Sequence, residues 1–175
     1  MATAWATPSW EPFAVENGVL LAPRSIVSKE GIGDRLRTAA FAEVQAEAAF
    51  LMAAERFAGS APKELCEAWR ALALEERKHR DWLVARMREL AVDPAGRPVS
   101  DVLWNSLVRC TTARDFCLYI AGAEERGRKA GERFRERMAE VDPVTADIFG
   151  RIATEEVAHI ALARRFAPDP CKPTP

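Results

Sequence analysis

The chain holds only two histidines, and both sit in the same local frame, Glu75-Glu76-x-x-His79 and Glu155-Glu156-x-x-His159. On a helix, residues three apart point to one side, so each motif presents a carboxylate oxygen and an imidazole nitrogen to a common point. With glutamate at 18 of 175 residues, chance sets one three positions before a given histidine about one time in ten, and does so twice about once in a hundred. A single histidine of this kind reads as a surface or satisfied core imidazole. Two, with none left over, require a fold that uses two helical faces in the same way.

The rest of the sequence supplies the helices. Glycine and tyrosine are scarce, at 9 and 1, which favours helix over strand. Residues 1–33 hold several prolines and little periodicity. They read as an irregular arm that packs across the domain through Trp5, Trp10, Phe13 and the run Val19, Leu20, Leu21. A first long helix is expected after GIGD, with Asp34 as N-cap, ending near Gly59. A second covers about 60–90, where Leu65, Trp69, Leu72, Leu83 and Met87 keep helical spacing. A long connection follows, with a short helix expected in VSDVLWNSLVRC. Thr111 or Thr112 then caps a third long helix over about 113–140, and Asp142-Pro143 opens a fourth over about 143–166. Residues 167–175 are a proline-rich tail. Short loop, long crossover, short loop is the order of the ferritin-like four-helix bundle, an all-α fold with its crossover between helices 2 and 3, here over residues 34–166.

The two halves of that bundle rhyme. Glu43 precedes Glu76 by 33 residues and Glu124 precedes Glu156 by 32, each on the helix before an EE-x-x-H motif. A metal site in such a bundle takes one glutamate from each of the two helices that lack histidine. Glu43 and Glu124 are the candidates. Glu47 lies one turn beyond Glu43 on the same face and stands as an alternative or additional ligand; Glu125, adjacent to Glu124, is turned by about 100°. Glu75 and Glu155 are likewise turned from the motif faces and read as surface carboxylates. Four carboxylates converging inside a bundle repel one another, and without a cation they must take up protons or stay wet. Two divalent ions offset that charge. Oxygen-rich ligation with one nitrogen per metal suits iron, or manganese, or a mixed pair, better than zinc.

Over residues 34–166 the chain resembles the ferritin-like di-iron carboxylate superfamily. The stretches E43-VQA, EERKH, E124-ER-G and EEVAH are similar to the pattern of bacterial tRNA hydroxylases that act on methylthio-isopentenyl-adenosine. The run Glu43, Val44, Gln45, Ala46, Glu47 resembles the E-[LV]-Q-A-x-E of a set of uncharacterised bacterial ferritin-like proteins, and this second likeness is closer along the chain. The resemblance implies two iron ions held by Glu43, Glu76, His79, Glu124, Glu156 and His159. It does not choose the reaction, because one scaffold hosts hydroxylases, oxidases, peroxidases and iron stores.

The expected function is activation of dioxygen or peroxide for oxidation of a small organic substrate, with tRNA hydroxylation or non-enzymatic iron binding and storage as alternatives. Phe50, Trp69, Leu72, Phe149 and Ile152 fall near the ligands by helical spacing and could shape a pocket. The net charge of −1 speaks against a nucleic-acid partner, although residues 126–137 carry six basic side chains against two acidic ones. That run reads first as a solvated face with pairs such as Arg128 and Glu132. The N-terminus has no basic residue before Arg24, no apolar run nears about 18 residues, and Cys66, Cys110, Cys117 and Cys171 lack CxxC pairing. These features predict a cytoplasmic protein with reduced thiols and no membrane partner, and leave a homodimer open.

Overall fold

The computed structural model describes residues 5–16 and 22–167. It is all-helical: α1 Lys29–Arg56, α2 Lys63–Glu89, α3 Val102–Leu107, α4 Ala113–Met138 and α5 Pro143–Phe166. Among the described residues the only β-type pairing is an isolated bridge between Val15 and Val99. The four long helices form two tightly packed pairs, α1 with α2 and α4 with α5. The α2–α5 and α1–α4 seams join the pairs. Phe50 of α1 meets Phe116 of α4 at 6.0 Å, and Arg35 lies over the Phe134 ring, so α1 and α4 run in opposite directions. No helix among the described residues is long and apolar enough to cross a membrane.

Two caps match expectation. The Thr112 hydroxyl accepts from the Asp115 N–H at the start of α4, and Asp142 accepts from the Thr145 N–H at the start of α5. Asp142 also holds Arg86 of α2 at 2.8 Å, which ties the first turn of α5 to its neighbour.

The start of α1 differs. The helix begins at Lys29, inside the expected arm, and its cap is Ser28, whose hydroxyl accepts from the Gly31 N–H. GIGD is therefore helical. A Cβ on Gly31 would lie 1.8 Å from the Ser25 carbonyl oxygen, so glycine is required there by a close backbone approach and not by a turn. Asp34 is buried in the helix. It pairs with Arg24 at 2.6 Å, with Arg37 at 3.2 Å, and with Arg97 from the crossover. These cations outweigh the cost of burial and hold its carboxyl down to about 2.

The arm packs as expected where it is described: Phe13 is buried, and Trp10 sets its ring edge-on to Phe41 and Trp104 at 5.3 and 5.7 Å. Val19, Leu20, Leu21, Cys171 and the tail from 168 lie outside the described residues. The crossover is pinned to α1 by the buried Gln45, whose amide accepts from Trp104 N and donates to Ser100 O. The thiols of Cys66, Cys110 and Cys117 are free and buried, and burial pushes the Cys117 thiol up to about 12.

The core is divided. One apolar cluster gathers Phe50, Trp69, Leu72, Phe116 and Ile120; a second gathers Phe41, Leu83, Met87, Met138 and Phe149. Each long helix contributes to both, and Glu43, Glu76, His79, Glu124, Glu156 and His159 fall in the stretches between. A polar layer thus crosses the bundle between two dry halves.

Candidate metal centre

Helical spacing and the antiparallel pairing bring all six expected residues into that layer. Glu43, Glu76, His79 and Glu156 form one group, and Glu76, Glu124, Glu156 and His159 a second. Within each, one donor atom per residue lies within 4.8 Å of every other. Glu76 and Glu156, from α2 and α5, belong to both groups. Glu43 and His79 serve only the first, Glu124 and His159 only the second. The layer is deeply buried: His79 is 0% exposed, Glu76 1%, His159 3%, Glu156 5% and Glu124 9%.

The ring nitrogens that face inward are the Nδ1 atoms. His159 Nδ1 lies 2.9 Å from Glu76 Oε1 and 3.6 Å from Glu156 Oε2. His79 Nδ1 lies 3.5 Å from Glu156 Oε1 and 3.9 Å from Glu43 Oε2. The two imidazoles stack 5.8 Å apart. Despite these approaches, Glu76 Oε1, both Glu124 oxygens, Glu156 Oε2 and both Nδ1 atoms are buried without a hydrogen bond. Even the 2.9 Å contact has the wrong angles for one. Buried donor atoms gathered without hydrogen bonds are what a cation can satisfy and what an apolar core does not tolerate.

The electrostatics agree. Burial, reinforced by the neighbouring carboxylates, pushes Glu43, Glu76 and Glu124 well above the usual carboxylate range. Burial pulls both imidazoles down. At His79 the surrounding Glu156, Glu43 and Glu155 outweigh it and raise the ring; at His159 burial prevails and the ring is lowered.

One residue of the site was read otherwise from the sequence. Glu155, expected at the surface, crosses to α2, and its Oε2 meets His79 Nε2 at 2.8 Å and Lys78 Nζ at 2.7 Å. Burial opposes its ionisation, but Lys78 and His79 together hold its carboxyl below the ordinary value. A carboxylate on the outer nitrogen fixes the tautomer that leaves Nδ1 free for a metal. The EE doublet is its only sequence signal. Glu75, the equivalent in α2, pairs with Lys78, as a surface carboxylate should.

The two alternative glutamates are held in ion pairs. Glu47 is taken by Arg77 and Arg80 of α2 at 2.7 and 2.8 Å, and Glu125 by Arg128 and Lys129 at 3.0 and 3.2 Å. Neither joins the layer. Arg128 also pairs with Glu132 at 2.6 Å, which neutralises part of the basic run 126–137. Of the expected pocket formers, Phe149 and Ile152 border a cavity of about 120 Å³ beside the carboxylates, while Phe50, Trp69 and Leu72 are core.

Residues 6–172 match the family described as "Protein of unknown function (DUF455)". The chain belongs to this family. No curated protein matches it. Four carboxylates and two imidazole nitrogens, split into two groups that share two carboxylates, can hold a pair of metal ions, each with one nitrogen and several oxygens.

Proposed function

We propose that the chain is a ferritin-like di-iron protein that activates dioxygen or peroxide and oxidises a small organic substrate. The observation that carries this reading is the sharing of Glu76 and Glu156 between two Glu/His groups in which one oxygen of each shared glutamate, both Glu124 oxygens and both Nδ1 atoms are buried and unpaired. Glu43 and His79 would complete one ion's ligands, Glu124 and His159 the other's. Hard oxygen donors with one nitrogen per ion favour iron, with manganese next. Iron when bound supplies the electron transfer to dioxygen that no side chain in the layer can perform. The protein's part is to fix the donors and exclude water: the two apolar clusters close the layer at both ends, and Glu155 locks the His79 ring.

The test is anaerobic loading with ferrous iron, followed by mixing with dioxygen while oxygen uptake and the visible spectrum are recorded. The reading expects rapid oxygen consumption with a new visible absorption, absent in His159→Ala. A chain that binds iron but leaves dioxygen untouched would overturn the redox part.

A further inference from the structure

The metal layer is closed on one flank and reachable on the other. The α1–α4 seam holds the cavity that reaches Glu43, Glu76, Glu124 and Glu156. Its walls along the two helices are small: Ala39, Ala42 and Ala46 on α1, and Ala123, Gly127 and Gly131 on α4. A row of small residues would be unremarkable if the helices closed upon it. Here they do not, and Glu124, nine-tenths buried, turns two unpaired oxygens towards the same space.

Gly127 is the informative residue. It sits in the middle of α4, where glycine weakens a helix relative to alanine. A Cβ built there meets no atom within 4 Å, so no neighbour demands its absence. Gly131, one turn on, differs: a Cβ there would rest 3.5 Å from the Phe149 carbonyl oxygen. Packing therefore accounts for small size at Gly131 and leaves Gly127 without a structural reason.

We propose that this cavity is the substrate chamber of the metal centre, that it takes a narrow, unbranched hydrocarbon group of an uncharged substrate, and that Gly127, exposed at its rim, sets the width of its mouth. The proposal rests on the metal reading above. The chemistry of the walls selects the class. The charged groups lining the cavity are the four carboxylates of the metal layer and Arg128, and Arg128 is already held by Glu125 and Glu132. An anion would face carboxylates, and a cation would have to cross apolar walls. The shape selects further. The lining runs from Ala39 to Ala46, about 10 Å of helix, and a volume of about 120 Å³ shared over that length favours a slender occupant. A rounder apolar cavity of about 150 Å³ is known to take benzene.

The probes are 1-hexanol and cyclohexanol, which share a carbon count and a hydroxyl and differ in width. Binding to the full-length protein is titrated by saturation-transfer NMR, and metal content is counted in the same samples. The proposal expects 1-hexanol to bind at least tenfold more tightly than cyclohexanol. Gly127→Phe should weaken 1-hexanol at least tenfold, and Gly127→Ala should weaken it less while leaving the melting temperature equal or higher. Leu118→Phe, on the exposed face of α4, should bind as the parent does. Equal binding of the two alcohols, or an unchanged affinity in Gly127→Phe, overturns the proposal. If Gly127→Phe does not fold, Gly127→Ala decides in the same sense. Normal metal content without alcohol binding overturns the chamber alone and leaves the metal reading intact. Alcohol binding in a chain that holds no metal overturns the chamber as a substrate site and the metal reading with it.

Discussion

The two seams that flank the Glu/His layer are built from opposite materials. At α2–α5 the ligands are covered by large and charged side chains: Trp82 lies 5.6 Å from the His79 ring, Arg151 stacks on Trp82 at 4.0 Å, and Lys78 and Glu155 close over the outer nitrogen. At α1–α4 the same layer is bordered by alanines, glycines and a cavity. The division extends to the ligands. The sealed seam supplies both histidines and both shared glutamates; the open seam supplies Glu43 and Glu124, one to each group. On the proposed function, the sealed flank would hold the ions and the open flank would admit what they act upon.

Stripping the metal tests the sealed side most severely. An ion at a thousandfold excess over its Kd stabilises the fold by about 4 kcal/mol, so chelation should lower the melting temperature by many degrees. The stripped protein should also respond to pH in an unusual sense. Glu43, Glu76 and Glu124 have raised values in the folded state, so the fold favours their protonated forms. Their contribution is fully present below the ordinary carboxylate value and lost as pH rises through the raised ones. Melting of the stripped protein should therefore climb as pH falls from about 8 to about 5. The loaded protein should move the other way, because protons compete with the ions. Asp34 and Glu125, held to about 2, act in the opposite direction, but only below the ordinary carboxylate range. Within the window His79, raised, adds to the trend and His159, lowered, opposes it, so the three carboxylates must outweigh one imidazole. Parallel slopes for the two forms would break the comparison.

Smaller effects sharpen it. Glu155→Ala removes the support of His79 and should weaken metal binding about 10- to 100-fold, read by competition with a chelating dye. Trp82→Ala, at a half-buried position on the sealed flank, should cost about 2 kcal/mol in chemical denaturation. Gly127→Ala, on the open flank, should stabilise the fold by about 0.5–1 kcal/mol by the same assay. Stability gained at the open seam and lost at the sealed one is the signature of the division.

The sequence made the layer legible because its code is periodic. Glu-x-x-His and the matched 33- and 32-residue spacings depend only on helical geometry and two similar hairpins, and the structure gathers all six residues. Interactions between helices were harder to read. Glu47 has the right face and height for a ligand, but Arg77 and Arg80 of α2 claim it, and nothing in the periodicity of α1 records them. Glu155 is turned off the motif face by one residue, yet that turn aims it at His79 across the seam. The start of α1 was misplaced because glycine and aspartate have two meanings. Gly31 is there for a close backbone approach, and Asp34 for Arg37 on the next turn, Arg24 before the helix begins and Arg97 from the distant crossover.

The most direct test of the shared-ligand centre is a count of metal ions per chain in the parent, Glu76→Ala and Glu124→Ala, each loaded with iron and desalted. Two ions in the parent, none in Glu76→Ala and one in Glu124→Ala would match two groups joined through the sealed seam. A parent that retains no metal, or a Glu76→Ala variant that still holds two ions, would contradict the account.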